Sequence, residues 1–87
     1  MYRVTLKRPA QKRLDGLQGD AWEAIRAAIL ALSEDPRPHG LKRLKPSGAY
    51  RIRVGDYRVI YDIDDYGQVI EVLDIGHRRD IYRRFGR

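Results

Sequence analysis

Tyr50-Arg51-Ile52-Arg53-Val54-Gly55-Asp56-Tyr57-Arg58-Val59-Ile60-Tyr61 decides how this chain folds. Apolar residues alternate with other types on both arms, the period of a half-buried strand, and Gly55-Asp56 is a two-residue hairpin loop. The register follows by counting outward from that loop. Val54 pairs with Tyr57, Arg53 with Arg58, Ile52 with Val59 and Arg51 with Ile60, and directly opposed residues of an antiparallel pair share a face. Tyr50, Ile52, Val54, Tyr57, Val59, Tyr61 and Ile63 are therefore expected toward the core. Arg51, Arg53 and Arg58 are expected on the opposite face, gathered as a receptor for an anion or splayed into solvent and screened. Like charges directly opposed across a ladder are destabilising, so the choice between these two has an energetic consequence.

Outward from the hairpin, the N-terminal side supplies one strand and two helices. Tyr2, Val4 and Leu6 alternate with Arg3, Thr5 and Lys7 as a short strand ending near Arg8. Pro9 suits a first helical turn, and Ala10, Leu14 and Leu17 predict a short amphipathic helix over 9–17. After Gln18-Gly19, Asp20 and Glu23 have capping-box spacing for a second helix, with Trp22, Ile25, Ile29 and Leu32 as its buried stripe. Asp35-Pro36 ends it. Helices joined by so short a link lie antiparallel and cover one side of a sheet. On the other side of the hairpin, Asp64-Asp65-Tyr66-Gly67 is a turn and Val69 to Ile75 a central strand, apolar on both faces except at Glu71 and Asp74. Gly76 ends that strand, and the basic tail from His77 to Phe85 hugs the sheet or forms a short helix. The expected fold class is α+β: a strand, a helical hairpin, then a three-stranded antiparallel meander with the helices on one sheet face.

The 87 residues are expected to form one domain, 1–87, with a single small core. Cysteine is absent and only His39 and His77 are available as imidazoles, which argues against disulfides and a structural zinc site. The charged N-terminus is neither a signal peptide nor a membrane span, and a cytoplasmic protein is the expectation. The net charge of +6 is unevenly spread. Residues 1–35 carry six Lys/Arg against five Asp/Glu, whereas residues 36–87 carry twelve against seven. Ten of those twelve lie in three clusters, Lys42 to Lys45, Arg51 to Arg58 and Arg78 to Arg84. Clustered positive charge is the footprint of a nucleic-acid ligand or an acidic protein partner, and composition does not choose between them.

The hairpin block, the close Ile75-Gly76-His77-Arg78-Arg79-Asp80-Ile81-Tyr82 and the element order resemble the RelE/ParE superfamily of bacterial and archaeal toxins over nearly the whole chain. The resemblance implies a toxin neutralised by a cognate antitoxin, with which it assembles into oligomers. RelE-type members cut messenger RNA in the ribosomal A site; ParE-type members poison DNA gyrase. Carried over residue by residue, the RelE-type set implies that Arg58 stabilises the transferred phosphate. Arg51 and Arg53 stand where that branch often has lysines. Arg78 stands at the arginine that serves the leaving 5′ oxygen, and Tyr82 at the tyrosine that contacts the substrate nucleotide. The expected reaction is a ribosome-dependent, metal-independent mRNA cleavage with no cofactor, in which the RNA 2′-OH attacks the neighbouring phosphate. Gyrase inhibition and a non-catalytic module that binds nucleic acid or antitoxin are the alternatives.

An arginine fork donates two parallel hydrogen bonds to a phosphorane, which suits Arg51 and Arg58. Arginine does not accept a proton near neutrality, so Arg53 is a poor base and Arg78 a weak acid acting mainly through its charge. His77 is the expected substitute base, with its loss predicted to matter more than that of His39. Lys42, Arg43, Lys45, Arg79 and Arg83 are candidate contacts to RNA phosphates, or for the first three to an acidic antitoxin segment. Tyr82 and Phe85 are candidates for base stacking, with core packing the competing role for Phe85.

Overall fold

The computed structural model describes residues 1–85. β1 (Arg3–Leu6) is followed by α1 (Arg8–Asp15), α2 (Gly19–Ala31), β2 (Lys42–Arg43), β3 (Tyr50–Val54), β4 (Tyr57–Asp64), β5 (Val69–His77) and α3 (Ile81–Phe85). The strands form one five-stranded sheet in the order β1-β5-β4-β3-β2. The expected α+β class holds, and the meander of β3, β4 and β5 lies at the centre of the sheet. β1 runs parallel to β5, and β2 adds an antiparallel edge to β3 that the sequence pattern does not predict. Two residues, Lys42 and Arg43, carry neither alternation nor β-branched character, so there was no periodic signal to read.

The hairpin register is the one counted from the loop: Val54 pairs with Tyr57, Arg53 with Arg58, Ile52 with Val59 and Arg51 with Ile60. Gly55 has φ 60°, the left-handed first loop position at which a type II′ turn requires glycine. A bulge between Ile60 and Tyr61 leaves Leu73 unpaired. The bulge brings Val72 and Ile75 to the same face despite their odd spacing.

Two cores result, one on each sheet face. The larger is covered by α1 and α2 and contains Ala10, Leu14, Ile25, Ile29, Leu32, Ile52, Val59, Tyr61, Ile70, Val72 and Ile75, with Tyr50, Val54, Tyr57 and Ile63 packed against it. This is the apolar face the alternation predicted. The smaller lies on the arginine face, where Leu44, Ala49, Ile60 and Ile81 are buried beneath Leu73, Tyr82 and Phe85. The tail is thus a short helix that docks on the sheet. Gly76 makes that docking possible, since a Cβ there would lie 2.8 Å from Arg84 Nη2 and 3.0 Å from Ile81 Cδ1.

Local details of α2 differ from expectation. No side chain caps it, so the Asp20/Glu23 box is not formed, and Gln18 stands at the N-cap instead. Helical residues end at Ala31, with turns carrying the chain to Glu34 before Pro36. Trp22 is 37% exposed, not buried, with the Arg26 guanidinium 5.7 Å from its ring centroid. The sequence of α2 is apolar on nearly every side, and a helix of that kind does not reveal from periodicity alone which side meets the core.

Candidate active site

The arginine face is organised in rungs that run across the strands. One rung is Arg53, Arg58 and Gly76; the next is Lys42, Arg51, Ile60 and Asp74. Arg53 is exposed, but Arg51 and Arg58 are only 4% and 8% exposed. Splaying into solvent is therefore not what these two side chains do. The short helix and the second core cover a face that the hairpin alone left open.

Burial is not accompanied by full hydrogen bonding. Arg58 Nη1 donates to the carbonyls of Gly55 and Tyr57 at 3.0 and 2.9 Å, which fixes its guanidinium against the hairpin loop, yet its Nε has no partner. Arg51 is more exposed to this deficit, because both Nε and Nη1 are buried without a partner among the described residues. A buried donor left unsatisfied costs about 1–3 kcal/mol, and more when it is charged. Burial pushes the Arg51 pKa down, and the Arg53 and Arg58 charges add to that push, while the Tyr82 phenol opposes it. A site that gathers three guanidinium groups and leaves buried donors open is complementary to an anion.

Asp74 does not supply that anion. It is 2% exposed, and its carboxylate is held by Arg84 of α3 at 2.5 Å, by Arg13 of α1 at 3.1 Å and by the Ile75 N–H at 2.8 Å. Ile60 stands between Asp74 and Arg51 on their rung. With strands about 4.8 Å apart, the two backbones are about 10 Å from each other. Asp74 joins α1 and α3 through β5, and its role was not assigned from sequence because a lone acid in an apolar strand does not announce its partners.

The remaining predicted residues divide between this face and its surroundings. Tyr82 and Phe85 pack on the second core, Tyr82 close enough to Arg51 to favour its charge. Arg78 stands at the hairpin end, its N–H donating to the Asp56 carbonyl at 2.8 Å and its Nε 3.8 Å from the Asp56 carboxylate. Arg43 is engaged locally, donating to the Gly48 carbonyl at 3.1 Å with its guanidinium 5.2 Å from the Tyr50 ring centroid. Lys42 and Lys45 are exposed beside it.

His77 is not brought to the arginine face. It pairs with Tyr57, so the two share the α1/α2 face, with their rings edge to face at 5.8 Å. Its Nδ1 accepts the Arg79 N–H at 3.2 Å. Together with Arg13, Leu17, Tyr57 and Arg83 it lines a separate cleft of about 480 Å³. His39 lies elsewhere, in a groove of about 560 Å³ between α2 and the free edge of β3, with Ala28, Ala31 and Leu32 on one wall and Arg51, Ile52 and Arg53 on the other.

Fold and site together define a small basic α+β protein with three arginines gathered on one sheet face. Comparison with known proteins gives that fold a family. The family described as "ParE toxin of type II toxin-antitoxin system, parDE" matches residues 4–82. Toxin RelG of Mycobacterium tuberculosis is 41% identical over 54 residues, a match that spans 61% of this chain and 62% of that relative, less than two thirds of its length. Among solved structures, RelE in the archaeal RelE-RelB complex of Pyrococcus horikoshii is similar at TM-score 0.79 and 29% identity, over 91% of this chain and 97% of that one. The isolated Escherichia coli RelE toxin is similar at TM-score 0.76 and 25% identity, over 95% and 93% of the two chains. The chain belongs to the ParE toxin family of type II toxin-antitoxin systems, within the RelE/ParE superfamily that its sequence resembles.

Proposed function

We propose that this protein is the toxin of a toxin-antitoxin pair and acts as a ribosome-dependent endoribonuclease on messenger RNA. The observation that carries the reading is the pair of buried guanidinium groups, Arg51 and Arg58, of which Arg51 Nε and Nη1 and Arg58 Nε have no partner among the described residues, on a face shared with Arg53. Attack of the RNA 2′-OH on the adjacent phosphate builds negative charge on the phosphorane oxygens. Arg58, held against the hairpin loop by the Gly55 and Tyr57 carbonyls, and Arg51 are the donors to those oxygens. Arg53 adds charge from the exposed side, and Arg78 at the hairpin end stabilises the departing 5′ oxygen. Tyr82 contacts the substrate nucleotide. The exposed cations Lys42, Lys45, Arg79 and Arg83 attract RNA, and this chemistry asks for no metal or cofactor.

A cognate antitoxin is the proposed protein partner, and the assembly is built through it. The similar Pyrococcus horikoshii structure is a RelE-RelB complex, and α2 here leaves Trp22 and, at 51% exposure, Leu30 without cover. Such apolar surface suits a partner that folds onto it. No helix among the described residues is long and apolar enough to cross a membrane. A cytoplasmic place of action, with residues 1–87 working as one domain, follows from a ribosomal target.

The family description favours a second reading, inhibition of DNA gyrase. Adding the purified protein to translating ribosomes and mapping mRNA ends, with a gyrase supercoiling assay alongside, separates the two. The endoribonuclease reading predicts cuts in the A-site codon that vanish in Arg58→Ala and Arg78→Ala. Intact mRNA together with impaired supercoiling overturns it.

A further inference from the structure

We propose that His39 is a catalytic residue of this chain, the group that takes the proton from the RNA 2′-OH. The inference rests on the endoribonuclease reading and names a part of that site. The reaction needs an acceptor for one proton, and the side chains gathered on the sheet face, Arg51, Arg53 and Arg58, do not accept one near neutrality. The chain has two imidazoles. His77 is on the opposite face, with one ring nitrogen engaged and its ring against Tyr57. His39 shares with Arg51 and Arg53 a groove at the edge of the sheet whose other wall is Ala28, Ala31 and Leu32 of α2, whereas the cleft of His77 contains none of the three hairpin arginines.

The backbone explains how it gets there. β2 pairs with β3 only at Lys42–Arg51 and Arg43–Tyr50. Continuing that register toward the N-terminus would set Leu41 opposite Ile52, Gly40 opposite Arg53 and His39 opposite Val54. Instead the chain turns away: the Leu41 N–H donates to the Pro38 carbonyl at 3.2 Å, and Gly40 has φ 89° at the third position of that turn. Glycine is needed there for a turn of type II, which places His39 at the corner. The gap opened between this corner, α2 and the edge of β3 is the groove.

The segment carrying the corner is tied down. Tyr61, buried in the larger core, donates its hydroxyl to the Pro36 carbonyl at 2.7 Å. Arg37 makes two hydrogen bonds to Asp65, at 3.1 and 2.8 Å, with its guanidinium 5.5 Å from the Tyr50 ring centroid. An exposed imidazole on an anchored turn, beside one buried unpaired cation and one exposed cation, has the placement a general base needs.

The step balances. The 2′ oxygen forms a bond to phosphorus as its proton passes to an imidazole nitrogen of His39, and the bond from phosphorus to the 5′ oxygen breaks. The leaving oxygen takes a proton from water near Arg78. The products are a 2′,3′-cyclic phosphate and a 5′-OH. The charged groups that face His39 in its groove are Asp35 from the loop and Arg51 and Arg53 from β3.

Single-turnover cleavage of a defined mRNA on programmed ribosomes tests the assignment across pH, with wild type, His39→Ala, His39→Gln and His77→Ala. His39→Ala and His39→Gln are expected to cut at least about 10²-fold more slowly, both losing the acidic limb of the wild-type pH profile. Added imidazole is expected to restore part of the His39→Ala rate, and His77→Ala to lose less than either. A His39→Ala rate within about two-fold of wild type, a retained acidic limb, or no imidazole rescue overturns the assignment while leaving the endoribonuclease reading in place. Wild-type protein that does not cut removes both.

Discussion

Asp74 and Arg51 occupy one rung and one face of the sheet, and both are buried, but they are treated in opposite ways. The carboxylate is held by two guanidinium groups from two helices and by a backbone N–H. The guanidinium of Arg51 keeps two buried donors without a partner among the described residues. A buried charge is tolerated when it is paired and is costly when it is not. The paired one belongs to the architecture: it ties α1 and α3 to β5. No contact within the described residues accounts for the unpaired one, and under the proposed function a phosphate oxygen is the acceptor it lacks.

The contrast is sharpest at the chemistry itself. Arg58→Ala removes a donor and is expected to slow mRNA cleavage by about 10²–10³-fold, read as single-turnover rate on ribosomes. A loss under about two-fold would put Arg58 with the structural charges instead. At Asp74 the effect moves from rate to stability. Asp74→Asn keeps the shape but weakens the charge-assisted hydrogen bond from Arg84 and removes the ion pair with Arg13, and urea unfolding should show a loss of about 1–3 kcal/mol. Arg13 and Arg84 are freed to reach solvent, which keeps the loss below that of a sealed ion pair. An unchanged unfolding midpoint would show that the Arg13 and Arg84 contacts hold nothing.

A smaller effect belongs to Asp65, whose carboxyl is held down to about 2 by the Arg37 guanidinium and then by the Tyr2 hydroxyl. Its folded pKa lies below the ordinary 3.8, so the stability it adds is present above that value and is lost as pH falls toward about 2. Wild type and Asp65→Asn should differ slightly in urea midpoint near pH 5 and converge in strong acid. The pair is exposed, so salt should shrink the difference as well. A gap that does not change with pH would assign the effect to something other than charge.

Much of the fold was legible because period and turn chemistry agree. The Gly55-Asp56 loop fixes a register that sets the β3 and β4 residues of the larger core and puts the three arginines together, but it turns Ile60 away from that core and gives no sign of the second core that buries it. What was not legible depended on contacts between distant segments. The second core on the arginine face joins Leu44 and Ala49, from before the hairpin, to Ile81 of the tail, and none of them carries a mark of where it docks. Trp22 was placed inward because a helix apolar on most sides offers no contrast to read. His77 is the expected base because an unperturbed imidazole pKa lies in the physiological range, a chemical argument that carries no information about its face. In the sheet it stands one residue past Gly76 on the opposite face, while the turn from Pro38 to Leu41 sets His39 in the groove that Arg53 also lines.

The measurement closest to the central claim uses Arg51→Met, which keeps the length and bulk of the side chain and removes its charge and donors. Urea unfolding and single-turnover mRNA cleavage are read on the same preparation. If Arg51 is buried for a phosphodiester and not for the fold, stability should stay level or rise by about 1–4 kcal/mol while cleavage falls by at least about 10²-fold. A variant that loses stability and still cuts at the wild-type rate would contradict the account.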